Sequence, residues 1–270
     1  MDKVVLKTNA DGSKILVSDV HQVLLEMIKI IDSICQRHNI PYFLNGGSAL
    51  GAVRHQGFIP WDDDLDIGMM REDYLNFIEV LKHDLPDAYC FQCFQTHKEY
   101  NVLIPAMKIR KKETFIKEAN TLLKNQCKDS DGIFIDVFVY DYCTKNKFVD
   151  LPLRLLNQAL MPVLIVLDNC GINPVMLKKF FVNNAEFYGK INKNSKFIGF
   201  DLTWTFKSPW SPFIFKKDDI YPVQYVQFED TKLPIAAHPH EYLCTAIAPN
   251  YMTLPPVNQR KPKHIVDIQC

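Results

Sequence analysis

Apolar and polar positions alternate along the chain in short strand-like runs separated by amphipathic helical stretches. Residues 3–17 read as two short apolar runs around Asn9-Ala10-Asp11-Gly12, with Asp-Gly at a hairpin turn. Val20, Val23, Leu24, Met27, Ile31 and Ile34 then recur at helical spacing. They predict a helix over 19–37 that Ser18 or Asp19 can cap. A strand at 41–44 leads into residues 44–69, and a helix follows over 71–85 with Tyr74, Phe77, Ile78 and Leu81 on one face. Strands are expected at 88–94, 102–110 and 132–138, and helices at 151–168, 174–191 and near 239–247. This is an α+β pattern. No internal repeat or low-complexity linker divides it, so 1–270 is read as one domain. Its core covers about 19–140, a helical insert or lid about 150–195, and a C-terminal segment about 196–270 that packs on the core.

The stretch with the most chemistry is 44–69, LNGGSALGAVRHQGFIPWDDDLDIGM. A small-residue turn, Gly46-Gly47-Ser48, opens a short helical run that carries Arg54. Four aspartates close the stretch: Asp62, Asp63, Asp64 and Asp66. On a strand Asp62, Asp64 and Asp66 share a face and Asp63 points the other way. Carboxylates so close raise one another's pKa unless a cation separates them, and oxygen-rich clusters suit hard divalent ions. Glycine-rich backbone, a hydroxyl and a helix N-terminus suit a phosphate. Gly47, Ser48 and Arg54 are therefore candidate phosphate binders, and Asp64 and Asp66 candidate metal ligands. Together they indicate metal-assisted phosphoryl or nucleotidyl transfer. A calcium loop starting at Asp62 fails, because its sixth position is Ile67 rather than Gly.

Further along, Asp136 lies inside the apolar run Ile133-Phe134-Ile135-Asp136-Val137-Phe138. A carboxylate there needs a cation or hydrogen bonds, so Asp136 is the expected third ligand, with Asp141 a weaker candidate. Lys108 and Arg110 share a strand face. That face is either solvated or supplies a cation, Lys108 first, to neutralise nucleotide phosphates. His55 is read as packing in its turn rather than acting as a base, and Trp61 as a core anchor or a stacking partner. The aromatic-rich stretch 196–228 is read mainly as packing, though some of its rings can cage a quaternary ammonium.

Gly47-Ser48 followed by Asp64-Leu65-Asp66-Ile67 resembles the signature of the nucleotidyltransferase superfamily. The longer string, Gly51-Ala52-Val53-Arg54-His55 through Gly57-Phe58-Ile59-Pro60-Trp61-Asp62-Asp63-Asp64, resembles the LicD family, which transfers phosphocholine from CDP-choline to cell-surface glycans. Fukutin-type ribitol-phosphate transferases share that core. The likeness extends over about 20–140 and again over 225–264. There Ala248-Pro249-Asn250-Tyr251 departs from the Tyr-Gly-Asp-Tyr that family members often carry, which weakens any transfer of acceptor specificity. The resemblance implies a nucleotidyltransferase-like mixed sheet flanked by helices. It implies two Mg²⁺ ions, with Mn²⁺ as the alternative, on Asp64, Asp66 and Asp136. It implies a CDP-choline donor, a glycan or lipid-linked glycan acceptor of teichoic acid or lipopolysaccharide type, and CMP as the product. Asp136, or a metal-bound carboxylate beside it, would accept the hydroxyl proton. Three alternatives stay open: a CDP-ribitol transferase, a true nucleotidyltransferase, and a catalytically silent metal-binding scaffold.

Composition narrows the setting. Lys+Arg and Asp+Glu are 31 each, so the net charge is zero and nucleic acid is not an expected partner. The eight cysteines have no regular spacing, and Cys90-Phe91-Gln92-Cys93 alternates like a strand, with no second pair to complete a zinc site. The start is polar, and the most apolar run, Ala159 to Leu167, is short and contains Pro162. A cytoplasmic protein is expected, possibly working at the inner face of the membrane through peripheral contact.

Overall fold

The computed structural model describes residues 4–200, 208 and 210–269. β1 (Val5–Thr8) and β2 (Lys14–Leu16) form the expected hairpin, with Gly12 at φ +84° in its turn. α1 (Val17–Arg37) follows, and Asp19 in its first turn accepts the Leu16 N–H at 2.8 Å. Then come β3 (Phe43–Leu44), α2 (Gly46–His55), β4 (Asp66–Met70), α3 (Arg71–Asp84), β5 (Tyr89–Cys93), β6 (Met107–Lys111), β7 (Phe115–Glu118) and β8 (Phe134–Cys143). The helices α4 (Lys147–Asn169) and α5 (Val175–Ile191) interrupt the strands. β9 (Phe197–Gly199), β10 (Phe215–Lys216), α6 (Lys217–Ile220), β11 (Gln224–Phe228), β12 (Thr231–Ile235), α7 (Pro239–Ala246) and β13 (Ile265–Gln269) complete the order.

β8 is the axis of the main sheet. It pairs in parallel with β4, placing Asp66 opposite Asp136 and Met70 opposite Tyr140. β6 pairs antiparallel with its first half, placing Lys108 opposite Asp136, and β9 with its last residues. β3 closes the β4 side and β5 extends from β6, so the sheet is mixed. Phe43 and Leu44 of β3, Ile67 and Met69 of β4, and Ile135 and Val137 of β8 are buried completely. Near-continuous apolar strands covered by helices are the expected signature of such a sheet centre. Against it packs the face of α1 formed by Val20, Leu24, Met27 and Ile31, and the expected face of α3.

Several boundaries differ from expectation. The strand expected at 102–110 begins only at Met107, because the Asn101 side chain takes the Leu103 N–H into a local turn at 3.0 Å. The aspartate strand begins only at Asp66, and residues 62–65 are irregular. The reason is pairing: β3 is two residues long and meets only Ile67 and Gly68, so nothing extends the ladder upstream. The pairs β7–β13 and β11–β12 had no counterpart in the expected strands. α4 is longer than expected and, over Phe148–Asn169, is long and apolar enough to cross a membrane by length and composition. The criterion of one uninterrupted apolar run misses this, because Asp150, Arg154 and Asp168 are spaced out along the helix.

Asp63 ties the C-terminal segment to this core. It is buried and turns away from Asp64 and Asp66, accepting the backbone N–H groups of Lys263, His264 and Ile265 at 2.7–3.1 Å. Replacing it removes the acceptor for three inward-facing donors. Asp63→Ala is expected to lower the unfolding free energy by about 3 kcal/mol, read from the midpoint of urea denaturation at constant slope.

Candidate functional site

The site is built where β3, α2 and β4 meet. Asn45 ends β3, and its buried Oδ1 accepts from Tyr140 OH at 2.7 Å and Tyr242 OH at 2.6 Å. Gly46 opens α2 at φ +49°, a backbone that favours glycine, and its N–H donates to Tyr242 OH at 2.9 Å. A Cβ on Gly47 would stand 3.0 Å from Asp62 Oδ2, so that position needs glycine for close approach. Ser48 Oγ accepts the Asp66 N–H at 2.8 Å, which locks the turn to the strand start. Gly47 and Ser48 thus hold the aspartates in place, whatever they do for a phosphate.

Asp66 and Asp136 stand opposite each other on β4 and β8, and Asp64, on the irregular backbone before Asp66, is coupled to both by charge. Burial pushes the Asp66 carboxyl well above the usual range, and the charges on Asp64 and Asp136 push it further. Burial likewise raises Asp64, with Asp63 and Asp136 adding to the effect, and raises Asp62 to about 7 with Asp64 beside it. Asp136 is also raised by burial, against the pull of Lys108. Lys108 is 2 % exposed, so the solvated reading of its strand face does not hold. Its Nζ stands 3.0 Å from Asp136 Oδ1 and 3.3 Å from Glu118 Oε2, and over the Phe134 ring. Arg110, equally buried, pairs with Glu118 at 2.9 Å and bonds Gln92. One ammonium shared between two acids leaves the cluster short of positive charge, and the Lys108 ammonium is the one partner recorded for Asp136 Oδ1. A hard cation fits this donor set. The ligand atoms of Asp62, Asp63 and His264 also lie within 4.8 Å of one another, and His264 Nε2 is 3.2 Å from Asp64 Oδ2.

Beside the carboxylates opens a cavity of about 470 Å³ lined in part by Gly47, Arg54, Trp61, Asp62, Tyr251 and Lys263. Arg54 donates to the Tyr251 carbonyl at 2.8 Å and to His55 Nε2 at 3.0 Å. Arg260 lies over the Trp61 ring, which is almost fully buried. His55 therefore packs in its turn, and Trp61 both anchors the core and carries a cation. The pocket wall carries one acid, Asp62, and the cations Arg54 and Lys263, an arrangement suited to holding a phosphorylated ligand. A second cavity of about 350 Å³ lies at the opposite end of β4 and β8, away from this cluster. Asp141 faces it and is bound bidentately by Arg71 at 2.6 Å, so its position is structural. Of the aromatic stretch, Trp204 and Phe206 fall outside the described residues. Phe200, Phe213 and Phe215 stack on one another, and Phe215 on Tyr242, as packing rather than an open cage.

Sequence reasoning missed Glu118 and His264. Glu118 is brought in by β7, whose partner β13 is over a hundred residues away in the chain, so no local pattern marks it. His264 arrives through the Asp63 anchor.

The arrangement defines an enzyme that handles phosphoryl groups. Residues 39–151 match the family model described as LicD/FKTN/FKRP, nucleotidyltransferase domain. The chain is 28 % identical over 275 residues to the lipopolysaccharide cholinephosphotransferase LicD of Haemophilus influenzae, covering 93 % of this chain and 97 % of that protein. It is 40 % identical over 55 residues to the human ribitol 5-phosphate transferase FKRP, covering 20 % of this chain and 11 % of that protein. The chain is a phosphotransferase that is similar over residues 39–151 to the LicD/FKTN/FKRP family.

The raised carboxyls fix a pH dependence. A carboxyl whose folded pKa lies above its unfolded value binds more protons when folded, so stability is lost as pH rises from the unfolded value near 4 to the folded value near 7. The metal-free protein is expected to melt higher at pH 5 than at pH 8. Added Mg²⁺, which needs the ionised acids, should raise the melting temperature by at least about 3 °C at pH 8 and by much less at pH 5. Differential scanning fluorimetry reads both; equal Mg²⁺ effects at the two pH values would contradict the assignment.

Proposed function

We propose that this protein transfers phosphocholine from CDP-choline to a sugar hydroxyl of a cell-surface glycan precursor, of teichoic acid or lipopolysaccharide type, releasing CMP. The observation that carries the reading is the charge coupling of Asp64, Asp66 and Asp136, to which Asp62 is joined at the edge of a cavity walled by Arg54 and Lys263. The choice of phosphocholine rests on the near full-length likeness to the Haemophilus influenzae cholinephosphotransferase. The likeness to FKRP spans far less of the chain, which leaves CDP-ribitol as the second donor to test.

In this reading the α+β core is nucleotidyltransferase-like, with the helical insert and the C-terminal segment belonging to one domain. Asp64, Asp66 and Asp136 hold Mg²⁺, or Mn²⁺ in its place. Held there, such an ion would supply charge neutralisation for the pyrophosphate and the transferred phosphoryl group. Gly47 leaves room for a phosphate against α2, and Ser48, whose oxygen already anchors Asp66, keeps its proton to donate. Arg54 neutralises the pyrophosphate from the cavity wall. Lys108 sets the charge on Asp136 and adds positive charge on the phosphate side of the site. The sugar hydroxyl attacks phosphorus, a new P–O bond forms, and the bond to CMP breaks. The hydroxyl proton passes to Asp136, whose proton affinity burial raises. We place the reaction in the cytoplasm, at the inner face of the membrane.

The first test is calorimetric titration with CDP-choline, with and without Mg²⁺, using CTP and CDP-ribitol as controls. Magnesium-dependent binding that prefers CDP-choline is expected. Preference for CTP or for CDP-ribitol moves the chain to one of the other transferase readings, and no nucleotide binding at all leaves a silent scaffold. Asp64→Asn and Asp66→Asn are each expected to lower CMP release at least about a hundredfold, with circular dichroism unchanged. A folded variant with full turnover sinks the mechanism.

A further inference from the structure

The α4–α5 hairpin is built inside out. Beyond Phe148 the charged residues of α4 are Asp150, Arg154 and Asp168, and all three are buried. Asp150 accepts from Arg154 Nε at 2.6 Å and from Tyr188 OH. Asp168 pairs at 2.9 Å with Lys178 of α5, whose side chain is fully buried. Asn184 donates to Asn157 at 2.7 Å. The pairings 168 with 178, 157 with 184 and 150 with 188 run the two helices antiparallel. The polar groups of the hairpin therefore face one another and the protein body.

The outer surface is the reverse. Phe148, Val149, Leu155, Leu156, Val163 and Val166 of α4 are exposed, Phe148 by 93 %. Met176, Phe180 and Phe187 continue the surface on α5. Eleven of the 22 exposed large apolar side chains among the described residues fall between 148 and 191, so this is a concentrated patch rather than the usual scatter. A helix in water shows the opposite distribution, whereas ionisable groups of lipid-facing helices turn inward and pair.

The charged rim selects the occupant. Among described side chains, the exposed charges between 145 and 196 are Lys145, Lys179, Lys190, Lys193 and Lys196. Asp150 and Asp168 are buried and Glu186 is half-buried, so no carboxylate is exposed there. Lys145 precedes α4, and Lys190, Lys193 and Lys196 lie at or beyond the end of α5, so the antiparallel pairing gathers these cations at one end. A second copy docked through the same face would offer these lysines no exposed carboxylate among the described side chains. An anionic lipid surface is complementary to both the apolar face and its cationic rim.

We propose that the outer face of the α4–α5 hairpin rests in the interfacial layer of a bilayer containing anionic phospholipid, lying along the membrane rather than crossing it. The inner face is already occupied: Leu164 and Phe181 pack with Phe94, Tyr100 and Leu103 in a separate apolar cluster. The chain also enters the hairpin from β8 and leaves it toward β9 at the same end. This inference stands apart from the transfer chemistry, since no residue of the outer face belongs to the carboxylate site.

The test is flotation of the full chain with vesicles of phosphatidylcholine alone and of phosphatidylcholine mixed with phosphatidylglycerol. Binding is expected to favour the anionic vesicles. The outward substitutions Leu156→Gln, Val163→Gln and Val166→Gln, combined, should lower partition by about a hundredfold, with circular dichroism and magnesium-dependent nucleotide binding unchanged. Lys190→Gln with Lys193→Gln should remove the anionic preference. Carbonate washing should release the bound protein. Absence of binding to either vesicle, equal partition of wild type and triple variant, or a lipid-independent dimer that the triple variant breaks would overturn the proposal. Retention through the carbonate wash would overturn the surface-lying geometry.

Discussion

Mutual repulsion among closely held carboxylates is the constraint that organises this molecule. Asp62, Asp64, Asp66 and Asp136 are drawn together in a place where water is scarce, and each raises the proton affinity of the next. Nothing local stabilises such a cluster, so the surroundings must hold it. Ser48 fixes the start of β4 through the Asp66 N–H, and the absence of a side chain at Gly47 lets Asp62 approach α2. Lys108, shared between Asp136 and Glu118, relieves part of the charge. The residual deficit of positive charge is what makes the site receptive to a divalent cation and, beyond it, to phosphate.

The parallel pairing of β4 and β8 turns that chemistry into geometry. It sets Asp66 beside Asp136 although seventy residues separate them in the chain, and β6 sets Lys108 on the other side of Asp136. The three strands hold two acids and an ammonium in consecutive rungs across the sheet. Main-chain ladders are stiff, so the arrangement depends little on loops. The cavity wall is assembled differently. Arg54 comes from α2, while Tyr251 and Lys263 come from the C-terminal segment, held in place by Asp63. Asp66, Asp136 and Lys108 thus stand on strands, and Arg54 and Lys263 on a helix and an anchored segment.

This division explains what the chain reveals by inspection. The period of α1 and α3 and the apolar run of β8 are local, so their faces and the buried position of Asp136 could be read directly. The aspartate stretch was legible as chemistry but misjudged as structure, because strand extent depends on a partner and β3 offers only two residues. Glu118 was invisible for a related reason. Its strand is defined by β13, and the charge it shares with Lys108 and Arg110 has no trace in local spacing. The membrane-length character of α4 was hidden by Asp150, Arg154 and Asp168, which break every apolar run until the helix groups them on one side.

Those three residues also show how differently the molecule uses buried charge in its two halves. In the hairpin each charge has a dedicated partner, Asp150 with Arg154 and Asp168 with Lys178, and Asn157 meets Asn184. Buried pairs of this kind add little net stability over apolar side chains of similar size, yet breaking one leaves an uncompensated charge. Their effect is on alignment: a slip of α4 along α5 would separate Asp168 from Lys178, Asn157 from Asn184 and Asp150 from Tyr188 at once, whereas an apolar seam would tolerate it. In the carboxylate cluster the acids outnumber their cations and proton affinities rise. Complete pairing fixes a scaffold, and incomplete pairing leaves a site with capacity to bind.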